Sequence, residues 1–121
     1  MTAGVRSWPI RLTAAAEADF QGILRWTLEQ FGELQAQVYA DTLSAALESL
    51  AEGPKIIGAI ARNDIARGLF TLHVARHARK GRHFIVFRIG RDKDRKVIEV
   101  LRLLHDAMDL ARHLPSAEEP E

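Results

Sequence analysis

The 121-residue sequence contains no cysteine. That excludes disulfides and thiolate metal sites and suits a reducing compartment. No stretch approaches the roughly 18 apolar residues of a membrane span. Met1 to Trp8 carries one arginine and no apolar core, so a secretory signal is not expected and a cytoplasmic location is. Glycine-rich phosphate loops, serine-nucleophile motifs and a His-Glu-x-x-His helix are all missing. The five histidines, His73, His77, His83, His105 and His113, lack metal-ligand spacing. Neither a metal nor a cofactor is expected. Tyrosine occurs once, as Tyr39.

What is present is enough for one globular domain across residues 1–121, ordered from about residue 8 to 114. Apolar residues make up 47% of the chain, which places it outside the disordered class. The net charge of +1 conceals a segregation. Between Ala14 and Glu52 the acids Glu17, Asp19, Glu29, Glu33, Asp41, Glu48 and Glu52 face only Arg25. Between Arg76 and Arg102 the bases are Arg76, Arg79, Lys80, Arg82, Arg88, Arg91, Lys93, Arg95, Lys96 and Arg102, opposed by Asp92, Asp94 and Glu99. A basic second half suits an acidic or polyanionic partner, although a solvated sheet face would carry the same charges.

Trp8 to Leu12 alternates apolar and polar and reads as a short strand, with Pro9 marking an edge position. Thr13 is an N-cap. Ala16, Phe20, Ile23, Leu24, Leu28 and Phe31 then form one buried helical stripe that Gly32 ends. Leu34, Val38, Tyr39, Leu43, Ala46, Leu47 and Leu50 form a second, stopped by Gly53-Pro54. So short a linker makes the two helices an antiparallel hairpin. Lys55 to Gly68 reads as an irregular connection with at most one short turn of helix or strand. Leu69 to Val74, His83 to Ile89 and Lys96 to Leu104 read as strands, the last two joined by the charged turn Gly90 to Arg95. His105 to Leu114 predicts a short helix capped by Asp106 and Asp109, and Ser116 to Glu121 a frayed acidic tail. The expected fold is α+β, in the order β-α-α-β-β-β: a small antiparallel sheet covered on one face by the helical hairpin.

Three segments carry a resemblance. They are the opening strand running into Thr13-Ala14-Ala15-Ala16-Glu17-Ala18-Asp19-Phe20 and the hairpin, then Arg82 to Ile89, then Val97 to Asp109. Together they resemble the RelE/ParE toxin superfamily. The strand end Val100-Leu101-Arg102-Leu103-Leu104-His105 with Asp109 is similar to its ParE branch, the plasmid-stabilisation toxins. The resemblance implies a toxin–antitoxin pair: a growth-inhibiting toxin that binds DNA gyrase without being an enzyme, and a ParD-like antitoxin that neutralises it. Two alternatives stay open. One is a RelE-like ribosome-dependent endoribonuclease cleaving messenger RNA; the other is a non-toxic binding module on the same fold.

Cutting RNA needs a base, an acid and cations for the phosphorane. Arg82, Arg88 and Arg102 supply cations and His105 an acid–base group, whereas Tyr39 sits on a predicted buried stripe. Half a nuclease site favours the binding reading. For contacts with target or antitoxin the candidates are Arg76, Arg79, Lys80 and Arg82 in a basic turn, Arg88 and Arg102 on the sheet, His105, and Trp26 on the flank of the first helix. The sheet face away from the hairpin is expected to be partly apolar, offering a groove to an amphipathic antitoxin helix.

Overall fold

The computed structural model describes residues 7–108. Its chain path is fixed at the outset by one side chain. Thr13 caps the first helix by accepting a hydrogen bond from Ala16 N at 3.0 Å. Its hydroxyl also donates to Leu101 O at 2.9 Å, and its backbone N–H donates to Val100 O at 3.0 Å. A residue chosen for helix initiation thus also ties that initiation to the last strand.

Strand β1 spans Ile10–Leu12. Helix α1 spans Ala14–Phe31 and α2 spans Glu33–Ser49, followed by a 3₁₀ turn at Leu50–Glu52. Gly32 alone joins the helices, at φ 91°, where a side chain would be strained. Strands β2 (Ile60–Ala61), β3 (Leu69–His73), β4 (His83–Asp92) and β5 (Arg95–His105) complete the fold.

The sheet order is β1-β5-β4-β3-β2. It is mixed rather than purely antiparallel, because β1 pairs in parallel with β5, Ile10 opposite Ile98. The cause is connectivity: the helical hairpin carries the chain away between β1 and the rest of the sheet, which frees β1 from the hairpin rule. Pro9 precedes this edge strand, and its carbonyl accepts from Ile98 N at 2.8 Å. The connection after Gly53 does hold a short strand, β2, on the opposite edge. The β4–β5 strands run further than their apolar residues suggest, and Lys93-Asp94 alone makes the turn, with Lys93 at φ 60°. A bulge at Leu101 shifts the pairing from Val86–Arg102 to Phe87–Val100.

The helices bury one sheet face. Ala16, Leu43, Ala46 and Leu50 meet Leu72, Val74, Ile85, Phe87, Ile98, Val100 and Leu103. The other face was expected to be an open groove, and it is not. Leu69, Val86, Leu101 and Leu104 form a second buried cluster there, with Ile65, Ala66 and Phe84 packed against it. The connection before β3 folds back over the sheet, through Arg62 N to Leu69 O at 2.7 Å and Leu69 N to Ala66 O at 3.2 Å. Its apolar residues supply cover that local sequence does not reveal.

The predicted helical stripes also need correction. Leu28, Phe31, Leu34 and Val38 are exposed. Phe20, Ile23 and Leu24 of α1, and Tyr39 and Leu47 of α2, are the residues that pack on the core. Around Gly32 the hairpin runs past the sheet, so the apolar periodicity continues where no described residue covers it. At the other end of the chain, β5 reaches His105 and a turn follows through Met108. The short helix expected further on falls, from Asp109, outside the described residues. No helix among the described residues is long and apolar enough to cross a membrane.

Candidate functional site

A cleft of about 800 Å³ opens between the outer half of the helical hairpin and the basic turn before β4. Trp26, Phe31 and Val38 form its apolar side, and Arg79, Lys80 and Arg82 its cationic side. His83 and His105, adjacent across the β4–β5 pair, also line it. An adjoining cavity of about 390 Å³ shares Trp26, His83 and His105 and adds Arg102 and Met108.

Tyr39 connects the two sides. Its hydroxyl accepts from Arg82 N at 3.0 Å and lies 2.7 Å from His83 Nδ1. The hydroxyl has no other acceptor among the described residues, so it donates to Nδ1, and His83 is then the tautomer that carries hydrogen on Nε2. Burial, then proximity to His105, lowers the His83 pKa to about 4, so the ring is neutral. Burial likewise raises the Tyr39 pKa. The phenol therefore holds its proton and braces α2 against the turn. Gly81 permits this closeness, because a Cβ there would stand 2.5 Å from Val74 Cγ2 and 3.0 Å from the Tyr39 hydroxyl. The sequence reading placed Tyr39 in the core and missed the brace.

Carboxylates account for three of the predicted cations. Arg102 pairs with Asp19, Nε to Oδ2 at 2.7 Å and Nη2 to Oδ1 at 3.0 Å, and Asp19 also accepts from Leu103 N at 2.9 Å. The bond to Asp19 raises the Arg102 pKa. Asp19 occupies the stretch of β5 edge that β1 is too short to cover. Arg88 pairs with Glu99 at 2.9 Å, and Arg11 reaches the same carboxylate at 3.2 Å. Arg82 pairs with Asp106 at 3.1 Å. Asp106 also accepts from His73 Nε2 at 2.9 Å, and these two bonds, His73 first, hold its pKa near 2. Asp106 was expected to cap a helix; instead it links β3, β4 and the turn after β5.

The eight candidate residues therefore divide. Trp26, Arg79, Lys80, Arg82 and His105 converge on the cleft, and Arg102 lines the neighbouring cavity. Arg76 folds back, donating from Nη1 to Ile57 O at 2.6 Å. Arg88 lies on the opposite sheet face with Glu99. The open cationic sheet patch expected of Arg88 and Arg102 is thus compensated by Glu99 and Asp19. Phe31, Val38, Tyr39 and His83 belong to the cleft but were not anticipated; only the exposed length of the hairpin and contacts far apart in sequence put them there.

The fold is shared with solved toxin structures. One, described as "Chromosomal ParDE TA system from P. aeruginosa", matches with a TM-score of 0.58 at 18% identity, over 82% of this chain and 96% of the other. A "YoeB/ParE toxin from Agrobacterium tumefaciens" matches with a TM-score of 0.53 at 11% identity, over 80% and 96%. These show that the α+β architecture is the fold of those toxin structures. Sequence narrows it. The family described as "ParE toxin of type II toxin-antitoxin system, parDE" matches residues 10–110. "Toxin ParE1" of Caulobacter vibrioides is 30% identical over 106 residues, covering 88% of this chain and 97% of that protein. "Toxin ParE" of Escherichia coli is 33% identical over 105 residues, covering 85% and 89%. The chain belongs to the ParE toxin family of type II toxin–antitoxin systems.

Proposed function

We propose that this chain is a cytoplasmic toxin that inhibits DNA gyrase by binding it, and that a ParD-like antitoxin neutralises it by covering the outer end of the helical hairpin. The observation that carries the reading is a concentration of exposed apolar side chains at the tip of the hairpin. Trp26, Leu28, Phe31, Leu34 and Val38 are between 47% and 74% exposed on adjacent turns of two helices. A free monomer keeps such a patch at a cost in solubility, and a dedicated partner resolves it. Arg79 and Lys80 border the patch and suit a partner helix with an acidic side.

Binding rather than catalysis is supported by what the polar groups do. Arg82, Arg88 and Arg102 hold carboxylates, and the Tyr39 hydroxyl is committed at both ends. A ribonuclease would need those groups available for a scissile phosphate.

Two measurements test the proposal. Purified toxin should inhibit gyrase supercoiling at micromolar concentration, and absence of inhibition would refute the target. The cognate antitoxin should co-purify with wild-type toxin and be lost from Phe31→Ser/Leu34→Ser; retention by that variant would refute the docking site.

A further inference from the structure

The cleft has a chemistry that an apolar partner helix does not use. Every ionic or imidazole group lining it is a hydrogen-bond donor. His83 accepts the Tyr39 hydrogen bond on Nδ1 and so carries its hydrogen on Nε2. His105 accepts from Ala107 N on Nδ1 at 3.1 Å, which likewise leaves Nε2–H. Lys80 and the guanidinium groups of Arg79 and Arg82 have no acceptor function. Asp106, which holds Arg82, does not line the cleft, and neither does any other carboxylate among the described residues.

The loop carrying these donors is held in an uncommon shape. His77 and Ala78 are consecutive non-glycine residues at positive φ, 51° and 67°. Arg79 N closes the turn on Arg76 O at 2.9 Å, and Gly81 has no room for a side chain. Backbone of this kind persists where surroundings enforce it, and it is concentrated at binding sites. Opposite the loop stands an aromatic pair, Trp26 and Phe31, edge to face with centroids 5.8 Å apart and Trp26 56% exposed.

A ligand matching this arrangement needs a flat ring for the indole, an acceptor-rich anion for the cations, and acceptors for two imidazole N–H groups. A nucleoside phosphate has all three. An apolar peptide anchor has none to offer the imidazoles and would bury them unpaired. We infer that the cleft binds a nucleotide, its base on Trp26 and its phosphate on Arg79 and Lys80, with Arg82 held beside them by Asp106. The volume of about 800 Å³ falls within the range of small-ligand sites. This goes beyond the toxin reading and does not depend on gyrase being the target.

The test uses the purified full chain, with ADP in calorimetry and a 5′-phosphorylated, fluorescein-labelled oligothymidylate in anisotropy. Saturable one-to-one binding of either probe is expected. Trp26→Ala and Lys80→Glu should each weaken it by about tenfold, the effect of losing one stacked base or one charge-assisted contact. Arg91→Glu, outside the cleft, should leave it unchanged. ADP alone binding identifies a free nucleotide; the oligonucleotide alone identifies a strand. No binding of either at millimolar concentration overturns the inference. So does binding that Trp26→Ala leaves intact, or equal affinity for a glutamate-rich peptide. Circular dichroism on each exposed-site variant separates misfolding from lost contacts. Antitoxin co-purification, scored on the same proteins, shows whether the toxin reading fails or survives separately.

Discussion

The two ends of the helical hairpin have the same apolar periodicity and opposite fates. At the root, Ala16, Leu43, Ala46 and Leu50 are at most 2% exposed and lie against the sheet. At the tip, Phe31 and Leu34 are 63% and 74% exposed. Pattern alone assigns a face to a helix; whether that face is covered depends on how far the neighbouring layer extends. Here the sheet stops short, and the uncovered remainder is what a partner could recognise.

Substitutions should break this symmetry cleanly. Leu43→Ala opens a cavity in the buried half and should cost about 3 kcal/mol in urea unfolding. Leu34→Ser should change stability by less than about 0.5 kcal/mol, because the side chain is already in water. Equal effects at the two positions would contradict the comparison. Asp19→Ala, near the root, should cost about 2 kcal/mol, since Arg102 loses this carboxylate and Leu103 N loses its acceptor together. Gly81→Ala should cost about 1 to 3 kcal/mol by forcing Val74 and Tyr39 apart. In that variant hydrogen exchange should rise in the turn before β4 and remain unchanged around Gly32.

A pH dependence probes the same contrast from a different side. His83 has a pKa of about 4 in the folded chain, against an ordinary 6.5. The unfolded chain therefore binds the extra proton between those values, and stability falls as pH drops from about 6.5 towards 4. His83→Gln should flatten that window in denaturation curves. Asp106, held near 2 against an ordinary 3.8, adds a separate loss below about pH 4 that the His83 variant keeps.

The local part of the architecture was readable in advance. Thr13, Gly32 and the β-branched runs of β3, β4 and β5 each act within a few residues, where capping and propensity operate. The site was readable only in pieces. Arg102 and Asp19 are 83 residues apart, Tyr39 and His83 are 44, and His73 and Asp106 are 33. No spacing rule connects partners at such separations, so arginines that look available in the sequence turn out to be engaged. Conversely, Tyr39 looked internal because helical periodicity gave it the same phase as Leu43 and Leu50. Its ring does pack against the core, but its hydroxyl reaches past it to Arg82 N and His83 at the cleft.

The parallel pairing of β1 with β5 joins segments 88 residues apart, Ile10 with Ile98. During synthesis the opening strand has no neighbour until almost the whole described chain has left the ribosome, and β4 lacks its longest partner until the same moment. A product cut short before Val97 would lack the seam that closes the sheet and the carbonyls on which Thr13 depends. The fold therefore closes only after β5 has been made, far downstream of the strand it must pair with.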